Sequence, residues 1–254
     1  MNDLPGMGER PRVSAVYPVA REAAALAAAE LVEPGMTIGL GSGRAVWRLV
    51  ELLGERVREG GDLASGSAPA GTGLRAAVAS ARTDEQARSL GIEVVELDGT
   101  FELDLALDGA DEIDPRLRLL KGGGGALLRE KIVVSAARRF VVVAETPKKV
   151  ERLGQHFRLP IEVTRFAWRD TRRRLARLLP EPELRRRQDG DSYLTDEGHL
   201  ILDCAIPADI DLDDLGPAIK RVPGVVEHGL FIDMAERALL GNPDGSVEVV
   251  EPPK

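Results

Sequence analysis

The stretch Met36-Thr-Ile-Gly-Leu-Gly-Ser-Gly-Arg-Ala-Val-Trp-Arg-Leu-Val50 sets the fold. Met36–Gly41 reads as a short buried strand that runs into Gly41-Ser42-Gly43. From Ala45 to Arg58 apolar residues recur at Val46, Leu49, Val50 and Leu53, the spacing of one helix face. Strand, glycine turn, helix is the opening unit of a parallel α/β sheet. Upstream, the Ala/Leu-rich Val19–Glu33 has strong helix propensity and stops at Pro34-Gly35. Downstream, Ala76–Ala79 predicts a short strand, Thr83–Leu90 a helix stopped by Gly91, and Ile92–Leu97 and Leu103–Leu107 two strands. Gly122–Gly125 precede a helix that reaches Arg139, and Phe140–Ala144 is a continuous apolar strand. Strands alternating with helices predict an α/β fold, a Rossmann-like three-layer α/β/α domain with a mostly parallel sheet. Functional groups then gather at the carboxyl ends of the strands.

After Lys149 the pattern changes. Leu159–Val163, Trp168–Leu179, Ser192–Thr195, Leu200–Cys204, Leu212–Arg221 and Val225–Glu227 read as β-α-β-β-α-β, a smaller inserted α+β ferredoxin-like domain. The expected organisation is a flexible tail over 1–16, a Rossmann-like domain over 17–153 and 229–254, and the small domain over 154–228. Gly229–Ile232 and Ser246–Val250 are expected to return as strands to the first sheet. The low-complexity 59–74 reads as a mobile loop.

Composition narrows the classes. Of 254 residues 43% are hydrophobic and 30% charged, an ordinary globular mixture. Aromatics make up 4%, so Ala, Val, Leu and Ile must build the core. The lone Cys204 excludes an intramolecular disulfide, and three scattered histidines disfavour a His-based metal site. No run approaches the ~18 apolar residues of a membrane span, and Met1–Ser14 lacks the apolar core of a secretion signal. The expectation is a soluble cytoplasmic protein. A net charge of −8 argues against nucleic acid as the main partner. Arginines outnumber lysines 28 to 6, and four of the six lysines fall between Lys121 and Lys149. Where Arg is the default cation, a retained Lys can mark a site that needs a compact ammonium.

Four stretches could carry chemistry. Gly39-Leu-Gly-Ser-Gly43 fits either a phosphate cradle at a helix start or a tight turn with no ligand. Asp108-Gly-Ala-Asp-Glu-Ile-Asp114 places four carboxylates after an apolar strand. It lacks the spacing of a calcium loop, and fits a solvated acidic turn or paired carboxylates gripping sugar hydroxyls. Lys121-Gly-Gly-Gly-Gly125 is costly to order unless backbone must approach a ligand closely. Glu130, in the helix after it, is either a surface residue or a base. Ala144-Glu-Thr-Pro-Lys148 ends another apolar strand, with Lys148 exposed or turned to a site. Anion cradle, carboxylates, lysines and one Glu base, with no metal or redox cofactor, together suit proton transfer on a sugar phosphate.

At these residues the chain resembles type A ribose-5-phosphate isomerase, over residues 20–250. The motifs match in order: Gly39–Gly43, Ser80 with Thr83, Asp108–Asp114, Lys121–Gly124 through Arg129-Glu-Lys131, Leu159-Pro-Ile-Glu-Val163, and Pro223-Gly-Val-Val226 with Gly229-Leu-Phe231. The resemblance implies interconversion of ribose 5-phosphate and ribulose 5-phosphate in the pentose phosphate pathway, without metal or cofactor. It implies Glu130 as the proton-shuttling base. Asp108, Asp111 and Lys121 then contact the sugar, assist ring opening and stabilise the enediolate. Gly122, Gly123 and Gly124 supply backbone donors. Gly41, Ser42, Gly43, Arg44, Ala45, Ser80, Thr83, Gly109, Ala110 and Lys148 complete the expected substrate contacts. A homodimer or homotetramer is also implied.

Three departures touch substrate grip rather than proton transfer: Arg44-Ala45 where the family usually has Ser-Thr, Ala79-Ser80 for Thr-Ser, and Glu145-Thr-Pro-Lys148 for Asp-Glu-Ser-Lys. The alternatives are an amino-sugar phosphate deaminase or lactonase and a non-catalytic sugar-phosphate sensor. Arg129-Glu-Lys131 after the glycines favours the isomerase over the first. The short stretch before the first helix leaves no room for the DNA-binding domain such sensors carry.

Overall fold

A computed structural model describes residues 18–58, 62–63 and 73–253. The expected tail lies outside them, as does most of the expected 59–74 loop. In chain order the elements are α1 (Pro18–Ala29), β1 (Thr37–Leu40), α2 (Arg44–Arg58), β2 (Arg75–Val78), α3 (Ala81–Ser89), β3 (Glu93–Val94), β4 (Leu105–Asp108), β5 (Glu112–Ile113), β6 (Leu119–Leu120), α4 (Leu127–Ser135) and β7 (Phe140–Glu145). They continue with β8 (Leu159–Val163), α5 (Trp168–Leu175), β9 (Glu183–Leu184), β10 (Leu200–Cys204), α6 (Leu212–Lys220), β11 (Val225–His228), β12 (Leu230–Phe231), β13 (Arg237–Gly241) and β14 (Val247–Val250).

Two compact units form. The larger comprises 18–110, Arg129–Lys148 and 233–253 of the described residues; the smaller comprises Asp111–Leu128 and Lys149–Ile232. Relative to the expected boundaries at 154 and 228, the smaller unit also takes in Asp111–Leu128, 149–153 and 229–232. Pairing explains it: β5, β6 and β12 form one three-stranded sheet, order β12-β6-β5. Leu230 and Phe231 pair with Leu120 and Leu119 and do not return to the first sheet as expected.

The larger unit is built on a seven-stranded sheet of order β14-β13-β7-β4-β1-β2-β3. Every pairing is parallel except β13 with β14. Ile38, Leu40, Leu105 and Leu107 face α1 and α2 in the main core, which includes Ala24, Ala28, Val46, Leu49 and Leu53. On the opposite face Gly39 lies against Val133 of α4, close enough that a Cβ would sit 2.5 Å from its Cγ1. Helices thus cover both faces, the three-layer arrangement the pattern predicts. The alanine stripe of α1 permits close approach to β13: a Cβ on Gly241 would lie 1.7 Å from the Ala20 carbonyl oxygen. β13 was not legible in the sequence, because its apolar run Ala238–Leu240 is only three residues inside a polar context. β3 is confined to two residues of the longer strand expected over Ile92–Leu97.

The chain runs from β1 outward through β2 and β3, then crosses to the other side of β1 to form β4. The sheet therefore reverses its winding between β1 and β4, and crevices outside the carboxyl ends at such a point are where open α/β sheets bind ligands.

In the smaller unit β8, α5, β9, β10, α6 and β11 follow the expected β-α-β-β-α-β order. The sheet order is β11-β8-β10-β9, and its three pairings are antiparallel. Its core packs Leu159, Ile161 and Val163 with Leu175, Leu202 and Ile219. The second strand is Glu183–Leu184 and not the expected Ser192–Thr195. β10 already pairs with β8 and β9, so 192–195 is left to the loops, where the Thr195 N–H turns back onto the His199 carbonyl. Thr164–Arg187 holds nine arginines; among them Arg173 and Arg174 both bond Asp170, and Arg172 Nε donates to the Pro182 carbonyl.

Within β8, Glu162 is 1% exposed. One carboxylate oxygen meets Thr195 Oγ1 and His199 Nδ1, each at 2.9 Å. Burial pushes this carboxyl above its ordinary range, against the opposing pull of those hydrogen bonds. A group that holds its proton more tightly folded than unfolded stabilises below its unfolded pKa, and that contribution is lost as pH rises through the folded value. In urea denaturation Glu162→Gln should therefore gain on the natural protein as pH rises from the ordinary carboxyl range, about 4, through the raised folded value of Glu162. A pH-independent difference between the two would contradict this account of Glu162.

Candidate active site

Parallel pairing brings the carboxyl ends of β1, β2, β4 and β7 to one edge of the large sheet. β1 ends in Gly41-Ser42-Gly43 and α2 begins at Arg44; β2 leads to Ser80 at the start of α3; β4 ends at Asp108-Gly109-Ala110; β7 leads to a 3-10 turn ending at Lys148. Ala45 is buried and Arg44 is exposed at the first position of α2.

Asp108 is fully buried. Its Oδ1 accepts from the Ser42 N–H at 3.1 Å and the Gly109 N–H at 2.7 Å, so one carboxylate joins the ends of β1 and β4. The carboxyl group occupies the place where residue 41 would carry a side chain: a Cβ on Gly41 would lie 1.8 Å from Asp108 Cγ. Gly43 has φ +95°, a left-handed conformation that favours glycine at the turn into α2. Beneath the turn, Thr83 Oγ1 donates to the Gly41 carbonyl at 2.9 Å and lies 2.9 Å from Ser80 Oγ. Ser80 also caps α3 by accepting the Thr83 N–H.

Glu130, in the first turn of α4, is 4% exposed. The Ser42 hydroxyl donates to its Oε1 at 2.6 Å. Ser42 thus spends its N–H on Asp108 and its hydroxyl on Glu130, and links these two buried carboxylates.

In the smaller unit Asp111 and the glycine run meet. Asp111 Oδ2 accepts the Gly123 N–H at 2.7 Å, and the Asp111 N–H donates to the Leu120 carbonyl. Lys121 is 3% exposed, with its ammonium 5.3 Å from the Phe231 ring centre. Its N–H donates to the Gly229 carbonyl at 2.9 Å. Gly229 has no room for a side chain, since a Cβ would lie 2.1 Å from the Lys121 carbonyl oxygen. Gly122 is in the left-handed region, at φ +104°. Two residues with no distinguishing sequence signal also touch the run, Arg185 and Tyr193, and Asp203 pairs with Arg185.

The acidic motif divides. Glu112, 1% exposed, accepts the backbone N–H groups of Gly154, His156 and Phe157. Asp114 accepts those of Arg116 and Arg118 and pairs with the Arg118 guanidinium at 2.7 Å. Both hold loops together. Only Asp108 and Asp111 are associated with the two glycine stretches. Among the described residues no group of three or more His, Cys, Asp or Glu is arranged to hold a metal ion, and no helix is long and apolar enough to cross a membrane.

Residues 76–245 match the family model described as ribose 5-phosphate isomerase A (phosphoriboisomerase A). The chain belongs to the ribose 5-phosphate isomerase A family. It is 48% identical over 229 residues to the ribose-5-phosphate isomerase A of Roseiflexus castenholzii, covering 90% of this chain and 94% of that one. Among solved structures it superposes on ribose 5-phosphate isomerase A from Methanocaldococcus jannaschii with TM-score 0.82, at 33% identity over 91% of this chain and 97% of that one. A D-ribose-5-phosphate isomerase in complex with phospho-erythronic acid matches with the same score, identity and coverage. The fold expected of a ribose 5-phosphate isomerase A from sequence is therefore the fold observed.

Two glycine substitutions test the geometry of this isomerase-family site. Gly41→Ala forces Asp108 or β1 to move and should cost about 1–3 kcal/mol in urea denaturation, the range of core overpacking. Gly124→Ala places its methyl where no heavy atom lies within 4 Å, and should stay within about 0.5 kcal/mol of the natural protein. Equal effects of the two would contradict the crowding at Asp108.

Proposed function

We propose that the protein interconverts D-ribose 5-phosphate and D-ribulose 5-phosphate through an enediolate, with Glu130 as the proton-transfer base. The observation that carries this reading is the 2.6 Å bond from Ser42 to the buried Glu130 at the strand-end edge of the large sheet. It sets a buried carboxylate in a hydrogen bond with the turn hydroxyl at the strand-end edge, beside the Asp108-anchored turn. The phospho-erythronic acid bound by a solved relative, an acyclic sugar-acid phosphate, supports an open-chain substrate.

On this reading the Glu130 carboxylate takes the proton from C2 of the open aldose. The electrons form the C1–C2 double bond and leave negative charge on O1. Return of the proton to C1, with transfer of the O2 proton to O1, yields the ketose. The Lys121 ammonium and the amides of Gly122 and Gly124 stabilise the oxyanion, the Gly123 N–H holds Asp111, and Asp108 and Asp111 accept sugar hydroxyls and assist ring opening. Gly41–Ala45, Ser80, Thr83, Gly109, Ala110 and Lys148 shape the remaining contacts. Arg44, where the family usually has a hydroxyl, presents a guanidinium suited to an anion. Small sugar phosphates are the partners, in the cytoplasm, with the chain assembled as a homodimer or homotetramer.

Glu130→Gln should fold normally and lose on the order of 10²–10⁴ in kcat for ribose 5-phosphate, the usual worth of a general base. Near-normal turnover would remove Glu130 from the mechanism. Lys121→Ala should lower kcat more than it raises KM, whereas an effect confined to KM would assign Lys121 to ground-state binding. Activity should survive exhaustive EDTA treatment; a loss restored by Mn²⁺ or Zn²⁺ would overturn the metal-free chemistry.

A further inference from the structure

The carbonyls of Gly122, Gly123 and Gly124 all have side-chain partners in the smaller unit. Arg185 Nη1 donates to the Gly122 carbonyl at 2.8 Å and lies 3.3 Å from that of Gly123; the Tyr193 hydroxyl donates to the Gly124 carbonyl at 2.9 Å. Arg185 directly follows β9 and is 5% exposed. Asp203 of β10 fixes its guanidinium from the far side, with Nε on Oδ2 at 2.8 Å and Nη2 on Oδ1. Tyr193 packs closely against the run: Gly125 has φ +88°, and a Cβ there would lie 2.3 Å from the Tyr193 hydroxyl.

A trans peptide points its C=O and N–H in opposite directions. Holding the Gly122 carbonyl on Arg185 turns the Gly123 N–H away, onto Asp111. Holding the Gly123 carbonyl there turns the Gly124 N–H away as well. The backbone at Gly124 is exposed, and the space beside its Cα is open. A cation on a carbonyl also polarises the peptide and strengthens the N–H behind it as a donor.

We infer that Arg185, fixed by Asp203, is a positioning residue for the isomerisation, aiming and polarising the Gly124 N–H as a donor to the enediolate oxygen, while Tyr193 steadies the peptide that follows, whose Gly125 N–H closes onto the Gly122 carbonyl. The inference rests on the reading of the glycine run as an oxyanion donor set. Arg185 touches no substrate; it acts through the backbone it holds.

The test compares Tyr193→Phe and the double variant Arg185→Met/Asp203→Leu with the natural protein. The double variant removes both charges, so neither is left buried alone. Readouts are thermal midpoint, kcat, KM, and inhibition by 4-phospho-erythronate and by inorganic phosphate. The phospho-erythronate carboxylate stands in for the enediolate oxygens; phosphate lacks it. The double variant should lose about 10- to 150-fold in kcat, the worth of a charge-assisted hydrogen bond, with KM within about twofold. Phospho-erythronate should weaken by a similar factor and phosphate should not. Tyr193→Phe should lose about fivefold in kcat with its thermal midpoint nearly unchanged. Unchanged kcat in a folded double variant, or equal weakening of both inhibitors, would overturn the inference. Failure of the functional reading shows elsewhere, as an active Glu130→Gln, and leaves the contrast between the two inhibitors as an independent reading of the clamp.

Discussion

The carboxyl group of Asp108 fills the space where residue 41 would carry a side chain, and the site in the larger unit depends on that occupancy. With Gly41 the end of β1 can pass beside the end of β4, and Asp108 Oδ1 can take two backbone N–H groups, from Ser42 and Gly109. That junction fixes the Ser42 backbone, which sets the hydroxyl that meets Glu130. Any side chain at 41 would drive the two strand ends apart at the place where the sheet reverses its winding. A buried carboxylate is costly without donors, and here the donors are the turn amides that the site needs fixed.

Proximity in sequence does not mean shared work. Within seven residues Asp108 and Asp111 serve the glycine stretches, while Glu112 and Asp114 accept backbone N–H groups from loops. Glu112 accounts for the order of Gly154–Phe157, and Asp114 for the tight connection between β5 and β6, where Leu117 takes φ 61°. Carboxylates at the rim of a site act as backbone acceptors as readily as they act as ligands for sugar.

The large sheet was legible because its strands are short, mostly apolar runs with sharp ends, such as Met36–Gly41, which runs into a glycine turn, and Phe140–Ala144, which stops at Glu145-Thr-Pro. β13 escaped because three apolar residues between charged neighbours carry no period, and its burial comes from α1 and β7 on either side. The ferredoxin-like order was legible from spacing. Its second strand was displaced to Glu183–Leu184 because pairing with β10 decides it, and Ser192–Thr195 has the more strand-like composition. Gly41, Ser42, Asp108 and Glu130 were found through motifs. Arg185, Asp203 and Tyr193 were not, since one arginine among 28 carries no local mark and its role comes from long-range contact with the glycine carbonyls. The division of Ser42 between Asp108 and Glu130 was also invisible, because a hydroxyl in a glycine turn reads as a ligand contact.

Proton transfer by Glu130 is the central claim, and hydrogen exchange reads it most directly. The protein is incubated with ribose 5-phosphate in D2O, and deuterium at C1 of the ketose and at C2 of the recovered aldose is followed by NMR. The account predicts incorporation by the natural protein, and a loss in Glu130→Gln of about the same 10²–10⁴ as general-base catalysis is worth. Exchange by Glu130→Gln at the natural rate would contradict it.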